Sequence, residues 1–244
     1  MAWVQTHTGK VRSSNEDAFW FGGGEGWYLA LVADGMGGHQ AGDVASQLTA
    51  DVIRKAVTTQ INNAAVAKWT KQQILKEALQ NANDRVFSQA QSNRSLAGMG
   101  TTVTALLLDG GAEIAHVGDS RAYLFRQGKL RQLTKDHSLV QGLVDVGSIS
   151  RKQARYHPKR HLLTRVLGAA SNLTIDRVCV QIEPGDLFLL CTDGLTGEIT
   201  DKEIETVLKS FSPAAAVEEL VKLALDLGGH DNITVLLVQA GDRL

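Results

Sequence analysis

Leu29-Ala30-Leu31-Val32-Ala33-Asp34-Gly35 is an apolar run that ends in an acid and a glycine. It reads as a short strand closed by an Asp-Gly turn. The pattern recurs in Ile114-Ala115-His116-Val117-Gly118-Asp119-Ser120 and in Leu187-Phe188-Leu189-Leu190-Cys191-Thr192-Asp193-Gly194. A last run, Asp231-Asn232-Ile233-Thr234-Val235-Leu236-Leu237-Val238, carries its acid at the entrance. Near the N-terminus Asn15-Glu16-Asp17 precedes another apolar stretch. A single Asp-Gly is only a turn signal. Repeated at several strand ends, it delivers short, rigidly based carboxylates towards one shared place.

Outward from these runs, strands are predicted at 28–33, 102–108, 112–118, 121–126, 175–182, 187–192 and 232–238. Helices are predicted at 41–59 and 70–90, the second with Ile74, Leu75, Ala78, Leu79, Ala82, Val86 and Phe87 on one face. Thr70 with Gln73 and Thr200 with Glu203 fit capping boxes. Ser212-Pro213 fits a helix start, and Gly228-Gly229 the stop. The runs 91–95 and 169–172 read as loops, and 138–168 as a helical insertion. The order is not a regular strand-helix alternation. It predicts an α+β protein with helices packed outside mostly antiparallel sheets.

The chain has 244 residues, 43% of them hydrophobic, enough for one sizeable core. No repeat or linker divides it, so one domain over 1–244 is expected. Lys and Arg total 25 against 26 Asp and Glu, which gives no reason to expect nucleic-acid binding. No apolar run is long enough to span a membrane, and no signal peptide is read at the N-terminus. Two cysteines make no disulfide framework, so a cytoplasmic, monomeric protein is the default.

Clustered carboxylates suit hard divalent cations. Two-metal sites hold their ions roughly 3.5–4 Å apart. Asp17, Asp34, Asp193 and Asp231 would balance the charge of two such ions. Asp119 is in surplus: it recruits a weaker third ion or pairs locally with Arg121. The chain has no P-loop, no dinucleotide fingerprint, no zinc motif and no nucleophile elbow. With no evident side-chain nucleophile, a metal-activated water is the economical choice.

An ordered series of motifs then runs along nearly the whole chain. It comprises Thr8-Gly9 with Arg12 and Asn15-Glu16-Asp17, then the stretch from Val32 to His39. Gly100-Thr101-Thr102, the stretch from His116 to Arg121 and that from Leu133 to Ser138 follow. Leu163 to Gly168, Pro184-Gly185-Asp186, Cys191 to Leu195 and Asp231 to Thr234 complete it. The series resembles the metal-dependent Ser/Thr protein phosphatases (PPM, or type 2C) in their compact bacterial form. The resemblance implies a β-sandwich of two mostly antiparallel sheets flanked by helices on both sides. It also implies hydrolysis of phosphoserine and phosphothreonine in proteins by a water held between two Mg²⁺ or Mn²⁺ ions, without a phosphoenzyme.

The resemblance assigns Asp34 as the bridge between both ions, with the Gly35 carbonyl beside it. Asp193 and Asp231 complete the first ion's ligands, and Glu16 and Asp17 flank the second. Asp119, with Asp193, matches a third-metal site. Arg12 matches the arginine that grips the substrate phosphate, a role its planar fork suits. Many eukaryotic members carry a His directly after Asp-Gly as general acid. Here that position is Met36. His39, on the same glycine-rich loop, is the candidate acid; a structural role for it, with protonation by water, is the alternative.

The insertion at 138–168 corresponds to a variable flap. It holds Arg151, Lys152, Arg155, Lys159, Arg160 and Arg165 with His157 and His161, and no acid occurs between Asp145 and Asp176. A basic flap could draw in an anionic phosphopeptide, or be an ordinary solvated face. Cys179 and Cys191 are expected in the core, and Trp3, Trp20 and Trp27 together at the sandwich edge. Asp136-His137 is expected to be scaffold, and the sequon headed by Asn232 to carry no meaning in a cytosolic chain. The partners implied are phosphorylated Ser/Thr proteins and a cognate kinase. Competing readings are a phosphoprotein-binding pseudophosphatase and another two-metal phosphoesterase.

Overall fold

Strand Val103–Leu108 is buried at every position, yet its side chains alternate between two cores. Val103, Ala105 and Leu107 point one way, and Leu106 and Leu108 the other. A strand covered on both faces reads as a continuous apolar run, because successive side chains point to opposite sides and both sides are dry. The structure, a computed structural model, describes residues 1–37, 41–62 and 70–241.

The strands are β1 (Ala2–His7), β2 (Asp17–Gly24), β3 (Trp27–Met36), β4 (Gly100–Thr101), β5 (Val103–Leu108) and β6 (Ala112–Val117). They continue with β7 (Arg121–Arg126), β8 (Lys129–Gln132), β9 (Asp176–Val180), β10 (Leu187–Cys191) and β11 (Ile233–Gln239). One sheet has the order β1-β11-β10-β7-β8; the other has β2-β3-β5-β6-β9, with β4 paired to β3. Every strand pairing is antiparallel. Ala30, Val32, Leu106, Ile114, Leu124, Phe188, Leu190 and Leu236 fill the space between the sheets.

Helices α1 (Ala41–Asn62) and α2 (Lys71–Ser92) cover the outer face of the β3 sheet with Ile53, Val57, Leu75, Leu79 and Val86. Short helices α3 (Leu139–Asp145), α4 (Arg151–Arg155) and α5 (Asp193–Thr196) follow. Helices α6 (Asp201–Ser210) and α7 (Pro213–Asp226) cover the β10 sheet with Ile204, Leu208, Val217, Leu220 and Ala224. The protein is thus α+β, a sandwich with a helical layer on each side, as expected.

The expected capping boxes form: Thr70 with Gln73 opens α2, and Thr200 with Glu203 opens α6. Gly228 and Gly229 have φ of 148° and 56°, and Gly229 N–H donates to Ala224 O at 3.0 Å, which closes α7.

Four strands were not anticipated: β1, β2, β4 and β8. β2 ends in Gly22-Gly23-Gly24, poor strand formers, and β8 (Lys129–Gln132) is short, with exposed Lys129 and Arg131 alternating with half-buried Leu130 and Gln132. β1 joins its sheet through β11, more than two hundred residues away. The strand predicted at 102–108 begins at Val103, and the short β4 precedes it at Gly100–Thr101. The tryptophans do not cluster: Trp3 packs on the α6–α7 side, Trp20 and Trp27 on the α1–α2 side. Cys191 is buried, but Cys179 is exposed because β9 is an edge strand.

The segment 138–168, termed the flap, holds α3 and α4. Its two ends are pinned: Leu139 N–H donates to Leu162 O, and Thr164 N–H donates to His137 O, each at 2.8 Å.

Candidate metal centre

The acids singled out in the sequence gather at one edge of the sandwich. Asp34 lies near the end of β3 and faces Asp17 of β2 in register. Asp193 opens α5 just after β10, Asp231 stands two residues before β11, and Asp119 two residues after β6.

Each is fixed by its backbone. Asp34 N–H donates to Thr102 Oγ1 at 3.0 Å, and its carbonyl accepts from Thr102 N–H at 2.9 Å and from Thr101 Oγ1 at 2.8 Å. Gly35 sits so close to Gly42 of α1 that a side chain would strike the Gly42 carbonyl. That is why the Asp-Gly pair ends there. Gly35 N–H donates to Glu16 O at 3.1 Å, which brings Glu16 alongside. The Glu16 carboxylate rests against Gly42 in the first turn of α1, where a helix N-terminus favours negative charge.

Asp17 is buried. Its Oδ2 accepts from Thr192 Oγ1 at 2.8 Å and from Thr234 Oγ1 at 2.7 Å. Among the described residues its Oδ1 has no partner, and neither has Oδ1 of Asp193. Buried carboxylate oxygens without donors are disfavoured unless something positive reaches them.

The electrostatics agree. Burial pushes the Asp17 carboxyl up to about 7, against the pull of its two threonine bonds. Burial raises Asp34 well above the ordinary carboxylate range, with Asp193, Asp17, Asp119 and Asp231 adding repulsion. Asp119 is raised likewise by burial, then by Asp193 and Asp136. Asp193 is raised by burial and then by Asp231. These groups resist ionisation together, and divalent cations would relieve them.

The donor set fits hard cations: carboxylate oxygens plus the Gly35 carbonyl, with no sulfur or imidazole among the gathered acids. Among the described residues no group of three or more His, Cys, Asp or Glu side chains forms a ready cage. Ions that keep several waters beside one or two carboxylates do not need one.

Arg12 reaches the same place. Its Nη2 donates to Asp231 Oδ2 at 2.8 Å, and the side chain is 55% exposed. The loop carrying it is anchored by Asn232, a residue whose importance the sequence reading missed. Asn232 Nδ2 donates to Thr8 O and Ser14 O, each at 2.8 Å, and its Oδ1 accepts from Glu16 N–H at 2.8 Å. Its place inside the Asp231-to-Thr234 motif was the only available signal.

The local Asp119–Arg121 pair does not form as the main contact. Arg121 instead makes a two-pronged bond to Asp136, Nε to Oδ1 at 2.8 Å and Nη2 to Oδ2 at 2.7 Å. Asp136 therefore has the scaffold role expected, and Asp119 is left facing Asp193. His39 lies outside the described residues.

Beside this edge the flap closes over a cavity of about 570 Å³. Asp119 and Asp193 line it, with Val140, Val144, Tyr156 and Arg160 from the flap. Arg155 and Arg165 are not free to meet a ligand. Arg155 donates to the carbonyls of Thr196, Gly197 and Ile199, at the end of α5 and just beyond it. Arg165 pairs with Asp176 at 2.6 Å. Arg151, Lys152, Lys159 and Arg160 are exposed.

A carboxylate-lined edge suited to divalent ions, with an arginine at its rim and helices on both sides of a β-sandwich, defines a metal-dependent phosphoester hydrolase. Residues 5–227 match the Protein phosphatase 2C family, and the chain belongs to that family of metal-dependent Ser/Thr protein phosphatases. It is 39% identical over 241 residues to the serine/threonine phosphatase stp of Listeria welshimeri, covering 96% of this chain and 94% of that one. Its structure is similar to the crystal structure of the Mycobacterium tuberculosis serine/threonine phosphatase PstP/Ppp. The TM-score is 0.88 at 36% identity, covering 99% of this chain and 98% of that chain. It is also similar to a PstP catalytic domain in complex with two manganese ions, with a TM-score of 0.85 at 34% identity, covering 99% and 98% of the two chains.

Proposed function

We propose that this protein hydrolyses phosphoserine and phosphothreonine esters in other proteins, using Mg²⁺ or Mn²⁺ held at the acidic edge. Asp34 would bridge two ions, with the Gly35 carbonyl beside it. Asp193 and Asp231 would complete one coordination sphere, and Glu16 and Asp17 would border the other. Asp119 with Asp193 would take a third, weaker ion. The observation that carries this reading is the gathering of carboxylates pushed away from ionisation, two of them with an unpartnered buried oxygen.

When bound, the ions supply a water of lowered pKa as nucleophile and neutralise charge on the phosphoryl oxygens. The chain's own part is to position and to select. Arg12, exposed at the rim, can transfer its fork from Asp231 to the phosphate oxygens. Asp17 holds the ends of β10 and β11 in register through Thr192 and Thr234. The leaving alkoxide takes its proton from His39 or from water. The flap cavity receives residues flanking the phosphorylated one, with Val140 and Val144 offering apolar contact and Arg160 a positive charge.

The substrates are therefore phosphoproteins made by a Ser/Thr kinase. No described helix is long and apolar enough to cross a membrane, and both cysteines are free. We place the protein in the cytoplasm as a monomer.

The test is phosphate release from a phosphothreonine peptide with Mn²⁺, with Mg²⁺ and with EDTA, beside an Asp231→Ala control. Release that needs metal and disappears in the control is expected. Tight phosphopeptide binding with no release under any metal would replace the enzyme with a binding protein.

A further inference from the structure

We propose that His137 is a positioning residue for the Asp119 carboxylate, acting through a two-point clasp on Gly118. The inference rests on the reading of Asp119 as the ligand of a weaker third ion.

His137 N–H donates to Gly118 O at 2.7 Å, and Gly118 N–H donates back to His137 Nδ1 at 3.1 Å. Gly118 has φ of 110°, and a side chain there would collide with Thr102. Only glycine makes this turn at ease, and the turn aims the next residue, Asp119. Glycine alone would also leave it loose. The clasp ties both backbone groups of Gly118 to one neighbour.

The ring's other nitrogen is also committed. With Nδ1 accepting, a neutral ring carries its proton on Nε2. Nε2 lies 3.2 Å from both Asp176 Oδ2 and Arg165 Nη1; only the carboxylate can accept its proton, and Asp176 is itself paired with Arg165 at the flap's exit. The His137 carbonyl accepts from Thr164 N–H across the flap's neck. His137 is buried and packs against His116, with ring centroids 4.8 Å apart and the rings tilted by 34°. One residue therefore links the Asp119 turn, the flap's neck and the start of β9: the neck through its backbone, β9 through its ring and Gly118 through both. Partners of this outer kind tune a metal site by about 10–100-fold in affinity.

Two substitutions separate the two nitrogens. Asn places its Oδ1 where histidine carries Nδ1, so His137→Asn keeps the acceptor for Gly118. Gln places its terminal amide where histidine carries Nε2, so His137→Gln keeps the Asp176 contact and the backbone half of the clasp but loses its Nδ1 half. Mn²⁺ titration calorimetry on the full chain reads each ion separately. The expected result is a weaker-ion Kd within about twofold of wild type for His137→Asn, and raised about tenfold or more for His137→Gln, with the tight ions unchanged. A purely packing role would harm both variants alike. An unchanged weaker-ion Kd in folded His137→Gln overturns the clasp while wild-type phosphatase activity upholds the functional reading. A wild type that binds no ion overturns both. Should His137→Gln not fold, ¹⁵N spectra of the wild type under Mg²⁺ titration decide. The Gly118 amide and His137 Nδ1 resonances should move with the weaker event, and static resonances would overturn the proposal.

Discussion

The Nη2 of Arg12 stands 2.8 Å from Oδ2 of Asp231, so the group suited to phosphate is bonded to a carboxylate suited to metal. The pair is partly exposed and sits at the rim, which makes it exchangeable. On the proposed function, a cation and the guanidinium would compete for the same oxygen. Arg12→Ala should therefore lower kcat/KM for a phosphopeptide by about 10²-fold, the scale of one transition-state donor. Its Mn²⁺ affinity should be equal to wild type or tighter, because the competitor is gone. Calorimetry beside steady-state kinetics checks this. Weakened Mn²⁺ binding in the variant would mean that Arg12 supports the metal centre rather than the phosphate.

Asp17 offers a second separation of stability from function. Its Oδ2 accepts two threonine bonds, which an amide oxygen can also accept, while its charge is opposed by burial. Asp17→Asn should raise the EDTA-treated protein's melting temperature by roughly 2–4 °C, the equivalent of about 1 kcal/mol in a chain of this size. The same variant should bind Mn²⁺ more weakly and turn over more slowly, a trade often met at functional carboxylates. A thermal melt in EDTA with a metal titration tests both halves. A lower melting temperature in EDTA would show that the charge is already compensated.

The pH dependence of the metal-free protein follows from the same groups. Asp17 moves from 3.8 to about 7 on folding, and Asp34 and Asp119 are raised well above 3.8. A raised acid binds its proton more tightly when folded, so its stabilisation is present at low pH and is lost as pH rises towards the folded value. Buried His116 works in the opposite sense. It falls from 6.5 to about 4, so stability drops as pH falls below 6.5 and the unfolded chain takes up the proton. Over pH 4–6.5 three raised acids oppose one lowered histidine, so melting temperatures in EDTA should already fall as pH rises through that window, with Asp17's share of the fall ending near pH 7. Mn²⁺ at roughly a hundred times its Kd adds about 2.7 kcal/mol, or roughly 5–10 °C. That increment should grow with pH, since protons compete for the carboxylates. An increment independent of pH would place the metal away from these acids.

The parts legible in the sequence are those with local signals. β7 over Arg121–Arg126 and the caps at Thr70, Thr200 and Ser212 depend on residues a few places apart. The acids at strand ends also carry their own signature, an apolar run followed by Asp. What escaped depends on partners far along the chain. Asn232 meets Glu16 across 216 positions, and Arg155 meets Ile199 across 44. Arg121 prefers Asp136 to nearby Asp119 because the β7–β8 hairpin folds the later acid back against it. No spacing rule announces such pairs. β2 escaped for another reason: its three glycines weaken strand propensity, and only pairing with β3 holds them extended.

Asn232 itself is testable. It satisfies Thr8 O, Ser14 O and Glu16 N–H, and is only 5% exposed. Leaving even one or two such groups unpaired costs about 1–3 kcal/mol each. Asn232→Leu should destabilise the fold by about 3 kcal/mol in urea. It should also loosen the loop bearing Arg12, so that KM for phosphopeptide rises beyond what metal can restore. Full rescue by excess Mn²⁺ would show that Asn232 acts on the ions alone.

The flap divides its cations into two kinds, and they should behave differently. Arg155 is spent on three carbonyls around the end of α5, the helix that Asp193 opens. Arg155→Ala should lower the melting temperature and reduce turnover of every substrate, small or large, because it loosens the segment carrying Asp193. Arg151, Lys152, Lys159 and Arg160 are exposed, and three of them, Arg151, Lys152 and Arg160, line the cavity. Replacing all four by Gln removes the long-range attraction for an anionic peptide and leaves the acidic edge untouched. KM for a phosphopeptide should then rise about tenfold at low salt and less at high salt, since screening weakens the attraction in the wild type too. KM for a small aryl phosphate should stay within about twofold, because it makes few contacts beyond the metals. An equal rise for both substrates would mean that the flap shapes the metal centre itself and does not select the peptide.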